Sequence, residues 1–266
     1  MSANQQEENI HELSQPQKRR RGIYLLPNLF TTAALFAAFY SMIAATNGDF
    51  GNACAAVFIS MILDGADGRV ARMTNTESDF GKEYDSLSDM VAFGVAPAMI
   101  MYHFALADLK GEGWIWFEIG GLAAFFYCAA AALRLARFNS MVGTDREDKR
   151  FFVGLPSPSG AALVIGLVWT AYSYDVSGKG FAIFAMFVTA LSGVLMVSNV
   201  RFHSFKDVNM SRRVSFFFLV MVVGSFVLVA IRPPEALLAI VSVYVASGLV
   251  GLFGGKKLDQ ETAEEP

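Results

Sequence analysis

The sequence predicts an all-α fold: a polytopic membrane helix bundle of about eight transmembrane helices with both termini cytoplasmic. Three observations carry this. Hydrophobic residues make up 54% of the 266-residue chain and charged residues only 17%, with a mean hydropathy of +0.43. An ordinary soluble domain is about 25% charged, so a water-soluble enzyme of ordinary type is excluded. Stretches such as VSFFFLVMVVGSFVLVA and GFAIFAMFVTALSGVLMVS contain no charge. Runs of about 18 to 20 apolar residues match a hydrocarbon core about 30 Å thick. Finally, 18 of the 21 Lys and Arg residues fall on one side of the resulting topology, leaving Lys110, Lys179 and Arg232 on the other. Positively charged loops resist translocation, so the rich side is cytoplasmic.

Residues 1–22 are polar and end in Lys18, Arg19, Arg20 and Arg21. The apolar run that follows is longer than a signal-peptide core and lacks its cleavage site, so it reads as a retained helix over 24–46. Further helices are expected over 50–72, 84–106, 114–137, 158–175, 179–199, 214–232 and 235–254. The outer connections, NGD near 47, ADLKGEG near 107 and SYDVSGKG near 173, read as plain turns. Cys54 and Cys128 both lie in apolar stretches and read as small core residues, so neither a disulfide framework nor a zinc site is expected. The net charge of −3 decides little, because seven acidic residues sit in the two polar ends. No nucleic-acid partner is expected.

Four aspartates stand at the inner ends of the second and third helices, in DGADGRVARMTNTESDFGKEYDSLSD: Asp64, Asp67, Asp85 and Asp89. A charge at mid-bilayer costs about 2.5–3.5 kcal/mol on insertion scales, so four such groups call for a compensating positive charge. Asp64 and Asp67 are three apart and Asp85 and Asp89 four apart, which puts each pair on one face of its helix. The polar link between the helices is short enough to return the chain as an antiparallel neighbour. Four carboxylates can then converge. With no His or Cys nearby in sequence, the cluster suits Mg²⁺ or Mn²⁺ rather than zinc. Two divalent ions would neutralise it and leave coordination positions for phosphate oxygens. Gly65, Gly68 and Gly81, with Ala71, leave room for a ligand or a second backbone.

The pattern Asp64-x2-Asp67-Gly68-x2-Ala71-Arg72-x8-Gly81-x3-Asp85-x3-Asp89 resembles the full signature of the CDP-alcohol phosphotransferase family, with every specified position matched. The resemblance implies a membrane enzyme that transfers a substituted phosphate from a CDP-linked donor to an alcohol, releasing CMP, with a divalent metal. It implies that Asp64, Asp67, Asp85 and Asp89 are metal ligands and that Asp89 is also the general base. Gly68, Ala71 and Gly81 would make room for the nucleotide, and Arg72 would contact the diphosphate. LPNLFT resembles the family's entry segment, which places Asn28 and Thr31 by the nucleotide; Pro27 and Asn28 read equally well as a helix start.

RLARFN at the end of the fourth helix, and FFVGLPSPSGAA beyond it, are similar to the bacterial integral-membrane branch of the family whose donor is CDP-diacylglycerol and whose acceptor is L-serine. Serine carries a carboxylate that Arg134 or Arg137 could clamp bidentately. Asn139, or the carbonyls around Pro156, Ser157 and Pro158, could take its ammonium. Arg134 and Arg137 read equally well as positive-inside residues or lipid-phosphate anchors.

The resulting division is a basic tail at 1–22, a catalytic membrane domain at 23–199, an additional helix pair at 200–254 and an acidic tail at 255–266. Arg201, Lys206, Arg212 and Arg213 are expected to meet anionic lipid headgroups. His103 and His203 have no ligand-spaced partner and are read as ordinary. Relatives imply a homodimer in the bacterial inner (plasma) membrane, its active site facing the cytoplasm. Within the family, a synthase using glycerol phosphate or inositol is the alternative. A metal-ion transporter would scatter its acids between repeated halves, and a prenyltransferase would need a second Asp-rich motif where the chain has only Asp207.

Overall fold

In a computed structural model, the residues described are 25–261 apart from 75, 77, 113, 142–150, 204–223 and 225–227. Helix α1 (Leu25–Thr46) turns through Gly48 into α2 (Phe50–Thr74). α3 (Asp79–Phe104) follows and ends in a 3₁₀ segment, Leu106–Glu112, before α4 (Trp114–Met141). α5 (Ser157–Ser173), α6 (Lys179–Val197) and α7 (Pro233–Glu261) complete the long helices among the described residues. Five of these seven contain stretches long and apolar enough to cross a membrane: Leu26–Thr46, Asp79–Phe104, Ile119–Met141, Lys179–Val197 and Pro233–Val250. α2 carries Asp64, Asp67, Arg69 and Arg72 in its second half, and α5 has only 17 residues. The helix expected over 214–232 lies largely outside the described residues, as do Lys206, Arg212 and Arg213.

The helices meet through small side chains, as membrane helices do when close approach of backbones replaces a hydrophobic driving force. Ala34, Ala38, Ala44 and Ala45 of α1 and Ala53, Cys54 and Ala56 of α2 are buried. Ser60 Oγ donates to the Ala34 carbonyl across this seam at 2.8 Å. Gly193 brings α6 against Phe126 and the Tyr127 backbone of α4, and a Cβ on Gly166 of α5 would stand only 3.3 Å from Leu238 Cα on α7. Outward-facing Phe36, Phe125, Phe187 and Val243 are exposed, as a lipid-facing surface requires.

Two features depart from the expected run of helices. The first is a two-stranded antiparallel ribbon, β1 (Phe151–Val153) with β2 (Arg201–His203), in which Phe152 pairs with Phe202. It continues past its ends, where Gly154 and Leu155 donate backbone hydrogen bonds to Val200 and Leu195. Gly154 is the pivot. Its φ of +84° and the closeness of the Met196 carbonyl leave no room for a Cβ. Three-residue strands show no periodicity, and their partners are about 50 residues apart, so sequence pattern could not signal them.

The second is a widened turn in α3. It starts earlier than the expected residue 84, because Ser78 caps it by accepting from the Gly81 N–H at 3.0 Å. It then passes through a π-helical segment, Met90–Val95, where the Ala96 N–H bonds to the Val91 carbonyl. Residue 97 is proline, so the ordinary α-helical donor to the Phe93 carbonyl does not exist. The hydroxyl of fully buried Tyr127 on α4 supplies it, at 2.8 Å. Leaving such a buried carbonyl unpaired would cost about 1–3 kcal/mol.

At the end of the bundle remote from the aspartates, Tyr174 donates to Glu235 at 2.8 Å and Arg232 pairs with Glu235 at 3.2 Å. This pins the start of α7 to the end of α5.

Candidate active site

A cavity of about 600 Å³ opens where α1, α2, α3 and α4 converge, lined by α2 and α3, which carry the aspartate motif, and by α1 and α4. Asp64 and Asp67 come from one face of α2, and Asp85 and Asp89 from one face of α3. One oxygen each of Asp64, Asp67 and Asp85 lie within 4.8 Å of one another. Of the four aspartates expected as metal ligands, the structure groups these three, and the carboxyl of Asp89 lies against that of Asp64. Asp85 Oδ1 and Asp89 Oδ1 are shut off from solvent and have no hydrogen-bond partner among the described residues. Orphaned buried carboxylate oxygens are costly. An oxygen-only donor set with unpaired, inward-facing atoms fits a hard divalent cation and offers nothing to a soft one.

Thr31 locks this arrangement from α1. Its hydroxyl faces both the Asp67 carboxylate at 2.6 Å and the Pro27 carbonyl at 3.2 Å. A hydroxyl has one proton, and the shorter bond to a charged acceptor takes it. Its backbone carbonyl accepts from Ser88 Oγ at 3.3 Å, so one residue of α1 ties both acid-bearing helices. Asn28, one turn earlier, also lines the cavity, with Gly68, Ala71, Arg72 and Gly81. A Cβ on Gly68 would meet nothing within 4 Å, so its small size serves open space and not protein packing. Gly81 differs. A Cβ there would stand 3.1 Å from the capping Ser78 hydroxyl and 3.5 Å from Asn28 Oδ1. Arg72 anchors its Nε on the Gly68 carbonyl at 3.0 Å and remains exposed at the rim.

The two candidate arginines part company. Arg134 lines the cavity, donates to buried Ser157 Oγ at 2.8 Å and lies over the Phe138 ring at 5.5 Å. It is the cation whose field reaches Asp89. Arg137, three residues further on and rotated about 60° round the helix, is outside the lining; it donates to Asn199 at 2.8 Å and reaches the end of α6. Asn139 lines the cavity and donates to Ser86 Oγ at 2.8 Å, while Ser157 meets the site only through Arg134.

Lys82, Glu83 and Ser86 of α3, Thr76 and Ser78 before it, and Leu135 and Phe138 of α4 also line the cavity, although sequence reasoning did not single them out. A signal was present. Residues 78, 82 and 86 flank the 81–85–89 stripe on a helical projection. Lys82 is held by Asp79 at 3.7 Å, both exposed.

Residues 24–198 match the family model of the CDP-alcohol phosphatidyltransferases. Among curated proteins, the chain is 41% identical over 229 residues to a CDP-diacylglycerol–serine O-phosphatidyltransferase of Helicobacter pylori, covering 86% of this chain and 91% of that one. It is 31% identical over 204 residues to the protein of that name from Methanocaldococcus jannaschii, covering 77% and 86%. It is 30% identical over 187 residues to an archaetidylserine synthase of Methanothermobacter thermautotrophicus, covering 70% and 72%. Motif, geometry and these similarities agree, and the chain belongs to the CDP-alcohol phosphatidyltransferase family.

Proposed function

We propose that this enzyme transfers the phosphatidyl group of CDP-diacylglycerol to the hydroxyl of L-serine, giving phosphatidylserine and CMP. The observation that carries the reading is one cavity holding a carboxylate cluster and, beside Asp89, a single half-buried guanidinium seated on Ser157. The serine-using relatives support the acceptor.

In this reading Asn28, Thr31, Gly68, Ala71, Arg72 and Gly81 receive the cytidine diphosphate, the acyl chains staying in lipid. Asp64, Asp67 and Asp85, with Asp89 at the edge, would hold Mg²⁺ or Mn²⁺, which when bound supplies positive charge against the diphosphate and the departing CMP. Arg134 receives the serine carboxylate, leaving the serine hydroxyl near Asp89. Asp89 takes the hydroxyl proton as the oxygen attacks the phosphatidyl phosphorus. The new P–O bond forms as the bond to CMP breaks, and CMP leaves with that electron pair. No covalent enzyme intermediate is needed.

Residues 23–199 would form the catalytic domain, 200–254 an added helix pair and 255–266 a tail, within eight spanning helices with both termini cytoplasmic. The basic inner side supports a plasma-membrane enzyme with its site facing the cytoplasm, in contact with anionic lipids. A homodimer completes the proposal.

Purified enzyme given CDP-diacylglycerol and labelled serine, glycerol 3-phosphate or inositol is expected to make lipid from serine alone, with equimolar CMP. Labelled lipid from one of the other alcohols, and none from serine, would reassign the acceptor. Arg134→Ala should raise the KM for serine about tenfold or more, the scale of a lost charge-assisted bond. Arg137→Ala should leave it within about twofold, since that side chain is engaged with Asn199 outside the cavity. The reverse pattern would return the carboxylate to Arg137.

A further inference from the structure

We infer that Tyr127, which does not line the cavity, is a positioning residue that sets Asp89 against Asp64 and Arg134 by holding the widened turn of α3 open. Two hydrogen bonds from α4 bracket the stretch of α3 that carries Asp89. Asn139 donates to Ser86 on one side of it, and Tyr127 donates to the Phe93 carbonyl on the other, each at 2.8 Å. Between these clasps α4 presents Ala131 and Arg134. A Cβ on Gly94 would come within 3.3 Å of Ala131 Cβ, so the helices are in close contact there. Tyr127, Ala131 and Arg134 follow one another at helical spacing on the face of α4 that meets α3.

The π-helical segment begins at Met90, directly after Asp89. A π turn contains one more residue than the equivalent α turn, so it resets the angular phase between the residues before and after it. In α3 it lets the 81–85–89 stripe face the cavity while Phe93, Ile100 and Met101 pack fully buried in the core. Pro97 deprives the Phe93 carbonyl of its backbone donor and thereby favours the wide turn; Tyr127 stabilises it from outside the helix. Wide turns of this kind recur at functional sites, and here the turn is fixed by a residue of the helix that also supplies Arg134.

The inference rests on the transferase reading, so the native rate is measured first, with whichever alcohol the native chain uses. If the native chain transfers nothing, the functional reading fails and not this one. Two variants then test Tyr127, with rates expressed per donor-binding molecule. Tyr127→Phe removes only the donated hydrogen bond and is expected to lower kcat about tenfold while the KM for CDP-diacylglycerol stays within about twofold. Pro97→Ala keeps Tyr127 but gives the Phe93 carbonyl a backbone donor, allowing the turn to close to an ordinary α turn. It is expected to lower kcat although thermal unfolding in detergent is unchanged or raised, a combination that a purely structural role would not produce. Should Tyr127→Phe fail to fold, Pro97→Ala alone decides. A kcat within twofold of native in either folded variant overturns the assignment.

Discussion

Asp89→Asn should bind CDP-diacylglycerol and lose about 10²–10⁴-fold in turnover, the range over which a positioned general base contributes. The substitution is nearly isosteric, and Asp89 Oδ1 has no partner to lose among the described residues. Its new amide can donate to the Asp64 carboxylate beside it, so the fold should not suffer. The loss therefore belongs to proton transfer from the acceptor hydroxyl. Donor binding by titration and transfer at saturating serine separate the two. Wild-type turnover in a folded Asp89→Asn enzyme would move the base elsewhere, and lost donor binding would make Asp89 principally part of the donor site.

Removal of divalent metal is the second large effect. With three carboxylates inside 4.8 Å and two buried oxygens unpaired, chelation should abolish transfer, and Mg²⁺ or Mn²⁺ should restore it. A readout independent of activity exists. A ligand that binds only the folded state stabilises it by mass action, so thermal unfolding in detergent should rise with added metal. Asp85→Asn should weaken both responses strongly. Thr31→Val should shift the half-activating metal concentration by about 10–100-fold, the usual cost of losing a group that orients a ligand; here that group is the hydroxyl on Asp67. Full activity in chelator, with no metal-dependent shift in unfolding, would remove metal from the mechanism.

The aspartate cluster was legible because every step to it is local. Asp64 with Asp67, and Asp85 with Asp89, share faces by helical spacing, and a short link brings α2 and α3 together. Asn28, Gly68, Ala71, Arg72 and Gly81 line the same cavity for the same reason. What sequence could not rank were Arg134 and Arg137, three residues apart on one helix and alike in every local respect. Ser157 and Asn199, reached across 23 and 62 residues, separate them. Nor does any local pattern announce Lys82 as a lining residue or single out Asp89 from the other three acids.

By itself, then, the sequence determined that the chain is a helical membrane protein, which stretches are apolar enough to lie in lipid, and that the acid-bearing faces of two successive helices come together. These depend on hydropathy and on the 3.6-residue helical repeat, both written within a few tens of residues. The tertiary structure alone decided the β1–β2 ribbon, which of Arg134 and Arg137 lines the cavity, and the wide turn at Met90–Val95 held by Tyr127. Each depends on a hydrogen bond or backbone contact between residues distant in the chain, where the identity of the partner is set by packing and not by spacing.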